Sequence, residues 1–414
     1  MEKYTTGSAP ASRPTWETLE SFARQSVQQL LQKLLEEEVT ELLRRGRCER
    51  RAGVDAESGY RNGHGKERRL SMTSGTIRIK RPRVRGLEER FESRILPLFK
   101  RRTQEVGTLL PELYLHGLAE GDFDLALRGL LGDGAPLSPS SIARLKAGWQ
   151  VEYEAWKKQS LKDVEVVYLW VDGVYVKAGL EKEKAALLVA VAGLRDGSKR
   201  VLAVQSGHRE STESWTTVLR DLKDRGLAAP KLVIGDGALG IWGALSNVFP
   251  ESAEQRCWNH RIINVLDKLS KTQQGQAKLL LTRIPYAETR EQAERLKKEL
   301  QSWCEQKGAA EAGRLLDRDW ERMVSFYAFP KQHWKHLRTT NVIESPFAAV
   351  RLRTTAAKRF KKVENATALI WKVLMVAEKS FRRLAAPELL GEVLAGVSYV
   401  DGVRVRLVEA RVTA

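Results

Sequence analysis

The chain reads as an α/β core interrupted by an all-helical stretch and preceded by a mostly helical, strongly basic region. Three patterns predict this. Apolar residues recur at three- and four-residue steps near the start, β-branched runs alternate with an amphipathic helix after residue 162, and a charged helical pattern fills residues 275–323. The 414 residues carry 70 Lys and Arg against 52 Asp and Glu, a net charge of +18. With 42% apolar and 29% charged residues the chain has the balance of a folding protein, and its length predicts two to four domains. The positive excess favours polyanionic partners through counterion release.

Three scattered cysteines, Cys48, Cys257 and Cys304, make no disulfide framework and fit a reducing cytoplasm. Residues 1–15 hold no apolar signal segment, and no run approaches the roughly 18 apolar residues of a membrane span. The expectation is a cytoplasmic, nucleoid-associated protein with no membrane partner.

Taken in order, residues 16–45 form one amphipathic helix through Leu19, Phe22, Ala23, Val27, Leu30, Leu31, Leu34 and Leu35. A glycine-rich stretch, residues 59–65, reads as a cationic loop. Residues 69–72 and 76–80 alternate around Ser74-Gly75 as a two-stranded ribbon, and residues 81–85 extend its basic stripe. Such a stripe serves equally as a charge-blunted edge or as a nucleic-acid surface. Between residues 103 and 156 lie short helices. One opens with Ser138 as N-cap and Pro139 as first helical residue, a weak helix-turn-helix pattern.

Beyond residue 162, strands are expected at 164–171, 174–176, 185–192, 200–205 and 232–234, with a helix at 211–225. Helical patterns follow at 275–323 and 341–384, and residues 397–412 alternate weakly. Asp172 and Asp236 each lie at or near the end of an apolar strand. Each is followed by glycine, so a hairpin turn explains either one singly. Glu344 lies three residues after Asn341, a capping-box spacing. Two strand-end aspartates, a helical glutamate and a cationic chain together suit hard divalent ions that take carboxylate oxygens and act on phosphodiesters. There is no Walker loop, no G-x-S-x-G elbow and no H-E-x-x-H helix.

At Val171-Asp172-Gly173, Gly235-Asp236-Gly237, residues 256–261 (Arg-Cys-Trp-Asn-His-Arg) and residues 338–344 (Arg-Thr-Thr-Asn-Val-Ile-Glu), the sequence resembles the bacterial mutator-type insertion-sequence transposases. These are DDE enzymes with an RNase H-like catalytic domain, and the resemblance runs from about Tyr60 to Lys362. It implies that Asp172, Asp236 and Glu344 are the catalytic triad holding two Mg²⁺, with Mn²⁺ as substitute, and that Cys257 and His260 support the active site. It also implies an all-helical insertion within the 108 residues that separate Asp236 from Glu344. Cys257-x-x-His260 is half a zinc signature that His333-x-x-His336 can complete, although the family does not imply zinc.

The expected fold is thus an RNase H-like α/β core with an all-helical insertion behind a mostly helical DNA-binding region. Its parts are 1–100 (helix and basic ribbon, for DNA binding and dimerisation), 101–162 (helix-turn-helix-like), 163–270 and 336–385 (catalytic core), 271–335 (insertion) and 386–414 (tail). Expected DNA contacts are Arg78, Lys80, Arg81, Arg83, Arg85, Ser138, Ser140, Ser141, Arg144, Lys146, Arg261, Arg351 and Arg353. The partners are double-stranded DNA, as terminal inverted repeats and target, and a second copy of the chain. The function implied is Mg²⁺-dependent strand cleavage and 3′-hydroxyl strand transfer, copy-out paste-in through a circular intermediate. The alternatives are a nuclease or resolvase of the same fold and an inactive DNA-binding regulator.

Overall fold

A computed structural model of the chain describes residues 14–53, 58–119, 122–131, 139–179, 184–207, 209–237 and 240–405. It divides into two units, residues 1–145 and 146–414.

In the first unit, helix α1 (Leu19–Leu43) lies along two antiparallel strand pairs. Strand β1 (Tyr60–His64) pairs with β4 (Pro82–Arg85), and β2 (Arg68–Met72) with β3 (Gly75–Ile79). The ribbon around Ser74-Gly75 forms as its alternation predicts. Ile77 and Ile79 turn inward to meet Leu35, Leu70 and Leu96, while Arg78 and Lys80 face outward. Two of the helix's glutamines lock it to the ribbon. Gln32 bonds both the N–H and the C=O of Lys80, at 3.1 and 2.9 Å, and Gln28 accepts from the Arg78 N–H.

The glycine-rich stretch is a strand rather than the expected loop. A bulge between Arg61 and His64 absorbs Asn62-Gly63, with Gly63 at φ +62°, so the strand keeps its pairing. Arg61 donates to Glu36 and Thr40, and His64 meets Glu36 at 2.6 Å, so β1 is fastened to α1 by side chains that a loop reading ignores. The apolar periodicity of α1 also serves two faces. Leu35, Val39 and Leu43 are buried, whereas Leu19, Phe22 and Leu30 stay exposed together with Trp16 just before the helix. Helices α2 (Gln104–Leu115) and α3 (Phe123–Leu131) follow, and α4 (Pro139–Lys157) crosses into the second unit. Pro139 is the first residue of α4, where its missing N–H costs nothing. Ser138 lies outside the described residues.

The second unit is built on β5 (Val166–Val176), β6 (Ala185–Leu194), β7 (Lys199–Gly207), α5 (Thr212–Asp224), β8 (Leu232–Gly235), α6 (Ile241–Val248) and β9 (Ala253–Arg256). The sheet order is β7-β6-β5-β8-β9. The first three strands are antiparallel, and β8 and β9 run parallel to β5. Helix α5 buries Trp215, Val218, Leu219 and Leu222 against Leu169, Leu188, Leu202 and neighbours, as its periodicity predicts.

Two expectations change here. Residues 164–176 do not break at Asp172-Gly173; β5 runs through them, with Asp172 opposite Val189 and Gly173 opposite Leu188. A hairpin signal yields when a long partner strand pairs both of its sides. Strand β9, Ala-Glu-Gln-Arg, has no apolar run to announce it. Its Gln255 is fully buried and satisfied by the Met323 and Arg256 carbonyls and the Phe326 N–H.

Helices α7 (Trp258–Leu266), α8 (Lys271–Arg283), α9 (Arg290–Gln306), α10 (Ala310–Arg314), α11 (Trp320–Val324) and α12 (Trp334–Leu337) fill the stretch after the sheet. The expected long helical pattern is thus several short helices. Then come α13 (Asn341–Ala357), α14 (Val363–Glu378), α15 (Glu388–Leu394) and a small hairpin of β10 (Tyr399–Val400) with β11 (Val403–Arg404). No helix among the described residues is long and apolar enough to cross a membrane.

Candidate acidic active site

Strand register brings the first two acids together. Val171 of β5 pairs with Gly235 of β8 in the parallel ladder, so the next residue on each strand, Asp172 and Asp236, emerges at the same level. Adjacent strands lie roughly 4.8 Å apart. The two Asp-Gly pairs then part ways. Gly173 stays in the strand, while Gly237, at φ +84°, turns the chain away as β8 ends.

A third carboxylate completes this group, and it is Glu210. One oxygen from each of Asp172, Glu210 and Asp236 lies within 4.8 Å of the others. Glu210 sits between β7 and α5, just before Ser211, whose hydroxyl caps α5 by accepting from the Ser214 N–H at 3.2 Å. Its carboxylate occupies the space above Gly173, where a Cβ would stand 2.3 Å from Oε1. Burial, then the negative charge of Asp236, pushes the Asp172 carboxyl up to about 7, against the opposing pull of the Gly173 N–H, which donates to Oδ1 at 2.8 Å. Burial and Asp236 likewise raise Glu210.

Glu344 falls in a second group, with Cys257 and His260. Helix α13 begins at Asn341 with Thr340 as N-cap, so Pro346 lies within the first turn and a half. Glu344 accepts from the Thr340 hydroxyl rather than capping through Asn341. Thr340 also donates its N–H to the Cys257 sulfur at 3.3 Å, and its hydroxyl oxygen lies 3.2 Å from that sulfur, tying the start of α7 to the start of α13. His260 joins the two groups. Its Nδ1 is 3.9 Å from Glu344, and it lies close enough to the aspartates for its charge to favour ionised Asp172. Contact with Cys257, followed by the charges of Asp236 and Glu344, raises the imidazole to about 9, so it is a cation at neutral pH.

The remaining predicted residues fall in several places. His333 bonds the Tyr168 hydroxyl at 2.8 Å and the Ala386 carbonyl at 3.1 Å, and His336 accepts from the Ala385 N–H at 3.1 Å. They join no ligand group with Cys257 and His260 among the described residues. Arg83, Arg85, Lys80, Arg144 and Arg351 are exposed, as is Arg78, which pairs with Glu67 at 3.3 Å; Arg81 and Lys146 are half-buried. Ser140 and Ser141 lie in the first turn of α4.

Two of the expected DNA contacts are buried instead. Arg261, 3% exposed, pairs with Asp319, and Arg353 is 2% exposed. Asp319 also binds Arg256 at 2.6 Å and Arg322 at 3.1 Å. Arg256 packs against the Gly237 turn, where a Cβ would meet its Nε at 2.3 Å. Sequence reasoning missed Glu210, Thr340 and Asp319. Only the Ser211 N-cap beside Glu210 offered a signal, and it announced a helix start rather than a site.

Comparison with known proteins agrees along most of the chain. The family model described as "Transposase, Mutator family" matches residues 5–383. The transposase of insertion sequence IS6120 from Mycolicibacterium smegmatis is 43% identical over 297 residues, covering 72% of this chain and 92% of that protein. The transposase of IST2 from Acidithiobacillus ferrooxidans is 41% identical over 286 residues, 68% of this chain and 96% of that one. The transposase of ISRM5 from Rhizobium meliloti (strain 1021) is 29% identical over 353 residues, 84% and 85% of the two chains.

Proposed function

The chain belongs to the Mutator family of transposases, and from that premise we propose that it is a DDE enzyme with an RNase H-like core. In this reading it binds the terminal inverted repeats of an insertion sequence, cuts a strand, and joins the freed 3′ end to another phosphodiester. The observation that carries the reading is the parallel register placing Asp172 beside Asp236, with Glu344 linked to them through His260. The sheet order, three antiparallel strands followed by two parallel ones with an acid on β5 and another just past β8, supports the RNase H-like assignment. The helices between β9 and α13 support the insertion.

The donor set fits magnesium. Asp172, Glu210 and Asp236 offer only oxygens within 4.8 Å, as a hard divalent ion requires. The Cys257 sulfur, by contrast, already accepts the Thr340 N–H. Asp172 and Asp236 would hold the ions together with Glu210, which lies beside them, and the family resemblance adds Glu344, with Mn²⁺ as substitute. When bound, a pair of such ions lowers the pKa of an attacking water or 3′-hydroxyl and stabilises the departing oxygen of an in-line displacement.

This chain's residues supply the rest. The β5–β8 register sets the spacing of the aspartates, Thr340 orients Glu344, and the His260 cation offsets crowded negative charge when a phosphodiester is near. In the first step water adds to phosphorus, the P–O3′ bond breaks, and a 3′-hydroxyl and a 5′-phosphate remain. In the second, that hydroxyl attacks a new phosphodiester, giving up its proton as one bond forms and one breaks. The family resemblance supports a copy-out, paste-in route through a circle. Handling two ends calls for at least two copies, and the exposed Trp16, Leu19, Phe22 and Leu30 offer an apolar face for a second chain.

The test is a strand-transfer assay with Mg²⁺ on duplexes bearing the element's ends. Asp172→Asn, Asp236→Asn and Glu344→Gln should each abolish cleavage and joining while leaving DNA binding intact. Cleavage that survives all three substitutions would refute the triad.

A further inference from the structure

Helices α13 and α14 are joined by Lys358-Arg359-Phe360-Lys361-Lys362, and this turn is stitched to the chain just beyond β5. Phe360 forms a parallel bridge with Ala178. Its N–H donates to the Lys177 carbonyl at 2.9 Å, and its carbonyl accepts from the Gly179 N–H at 3.0 Å. Arg359 adds a bond from its guanidinium to the Gly179 carbonyl at 2.6 Å, and the Phe360 ring is 9% exposed. The turn is therefore held at both backbone and side chain. What it holds outward is positive: Lys358, Lys361 and Lys362 are exposed, and so is Lys177 from the strand it grips. Glu364 on the first turn of α14 is the nearest acid in sequence.

Two details set this cluster apart from an ordinary solvated run. Lys358 is the residue after α13 and sits at φ +57°, ψ −58°, a backbone region that favours glycine. Glycine would take that geometry without strain, so nothing local to the helix end calls for a lysine. Lys362 is the N-cap of the 16-residue α14 and makes no side-chain cap, so the lysines flank a helix N-terminus whose first amides no capping side chain of Lys362 satisfies.

We infer that Lys177, Lys358, Lys361 and Lys362 form a shelf that grips the phosphate backbone of the DNA flanking the reacting bond. This rests on the reading of the acidic site as a DNA-cutting centre. The spacing is legible on the strand itself. Ala178 lies six residues beyond Asp172 along extended chain, which is roughly 20 Å at about 3.3 Å per residue. Duplex DNA rises about 3.4 Å per base pair along its axis, so a duplex lying along β5 would bring the shelf to phosphates at most about six base pairs from the reacting bond. Glu344 and the turn share α13, and Asp172 and the bridge share one stretch of chain, so cutting and gripping are rigidly coupled.

The experiment measures binding of the full chain to fluorescein-labelled duplexes bearing its element's end, over a salt series. In Lys358→Gln/Lys361→Gln/Lys362→Gln, the slope of log K against log salt should fall by about 0.9 for each phosphate the variant no longer neutralises. Trimming the duplex to about three base pairs on one side of the scissile bond should erase the difference between variant and wild type. An unchanged slope, or a difference that survives trimming on both sides, overturns the shelf.

Lys358→Gly separates gripping from folding: it should raise the thermal midpoint while lowering the slope by about 0.9, the share of one phosphate. A lower midpoint with an unchanged slope would make Lys358 purely structural and overturn its place in the shelf. Wild-type protein that cuts none of these duplexes with Mg²⁺, yet shows the slope difference, would overthrow the catalytic reading and leave the shelf standing.

Discussion

Gly240→Ala is the most informative single substitution in the molecule. A Cβ built on Gly240 would stand 2.2 Å from the Ser211 carbonyl carbon, 2.3 Å from the Thr212 nitrogen and 2.6 Å from the Glu210 carbonyl oxygen. All three are backbone atoms, so no side chain can swing aside. Ordinary contact begins near 3.4 Å, and the 210–212 segment must retreat by 3.4 − 2.2, or about 1.2 Å. That movement strains the start of α5 and draws the Glu210 carboxylate away from Asp172 and Asp236. Overpacking of this kind costs about 1–3 kcal/mol, and a misplacement of roughly 1 Å at a reacting centre costs on the order of 100-fold in rate.

The assay pairs thermal denaturation with Mg²⁺-dependent cleavage, using Gly275→Ala as the control. Gly275 lies inside α8 with nothing within 4 Å of its Cβ, so alanine there should stabilise by about 0.5–1 kcal/mol and leave cleavage unchanged. If Gly240→Ala matches wild type in both measurements, the close approach of the α5 start to the α6 start does not position the acidic group.

Four further outcomes concern ionisable groups elsewhere in the fold. Asp319→Ala leaves the buried Arg256 and Arg261 without their shared carboxylate and should destabilise the fold by about 3–5 kcal/mol in denaturant titration, while Arg261→Ala should show a stability loss rather than a selective loss of DNA binding. Burial first, and then Lys199, holds His336 down to about 4. Its folded value is thus below the unfolded 6.5, so its contribution is whole above pH 6.5 and lost as pH falls towards 4, by at most about 3 kcal/mol. Wild type compared with His336→Asn across that window should show the difference, and parallel stability curves would exclude it. Arg83→Ala/Arg85→Ala should lower the salt slope of DNA binding by about 1.8 without shifting the unfolding midpoint, because both side chains lie on the outer face of β4.

Local chemistry was enough to read some of this molecule. Runs such as Leu-Val-Ile before Gly235 and the Trp215, Val218, Leu219, Leu222 stripe of α5 demand burial whatever surrounds them. Pro139 likewise places a helix start through its missing N–H. Asp172 and Asp236 could be nominated because a carboxylate beside a buried strand needs a reason, and Glu344 because its motif resembles the family's. Their grouping could not. Asp172-Gly173 and Asp236-Gly237 are the same dipeptide, yet one is held straight by β6 and the other turns where β8 ends.

Glu210 follows an ordinary polar stretch and reaches the aspartates only because Gly173 and Gly240 leave room for it. Arg261 and Arg353, charged and therefore expected outside, are buried within the fold. Periodicity reports which side of an element faces inward, since that is a property of neighbours along the chain. Which acids share a pocket, and which cations can meet a phosphate, depends on strand register and on groups tens of residues apart, where no local pattern reaches.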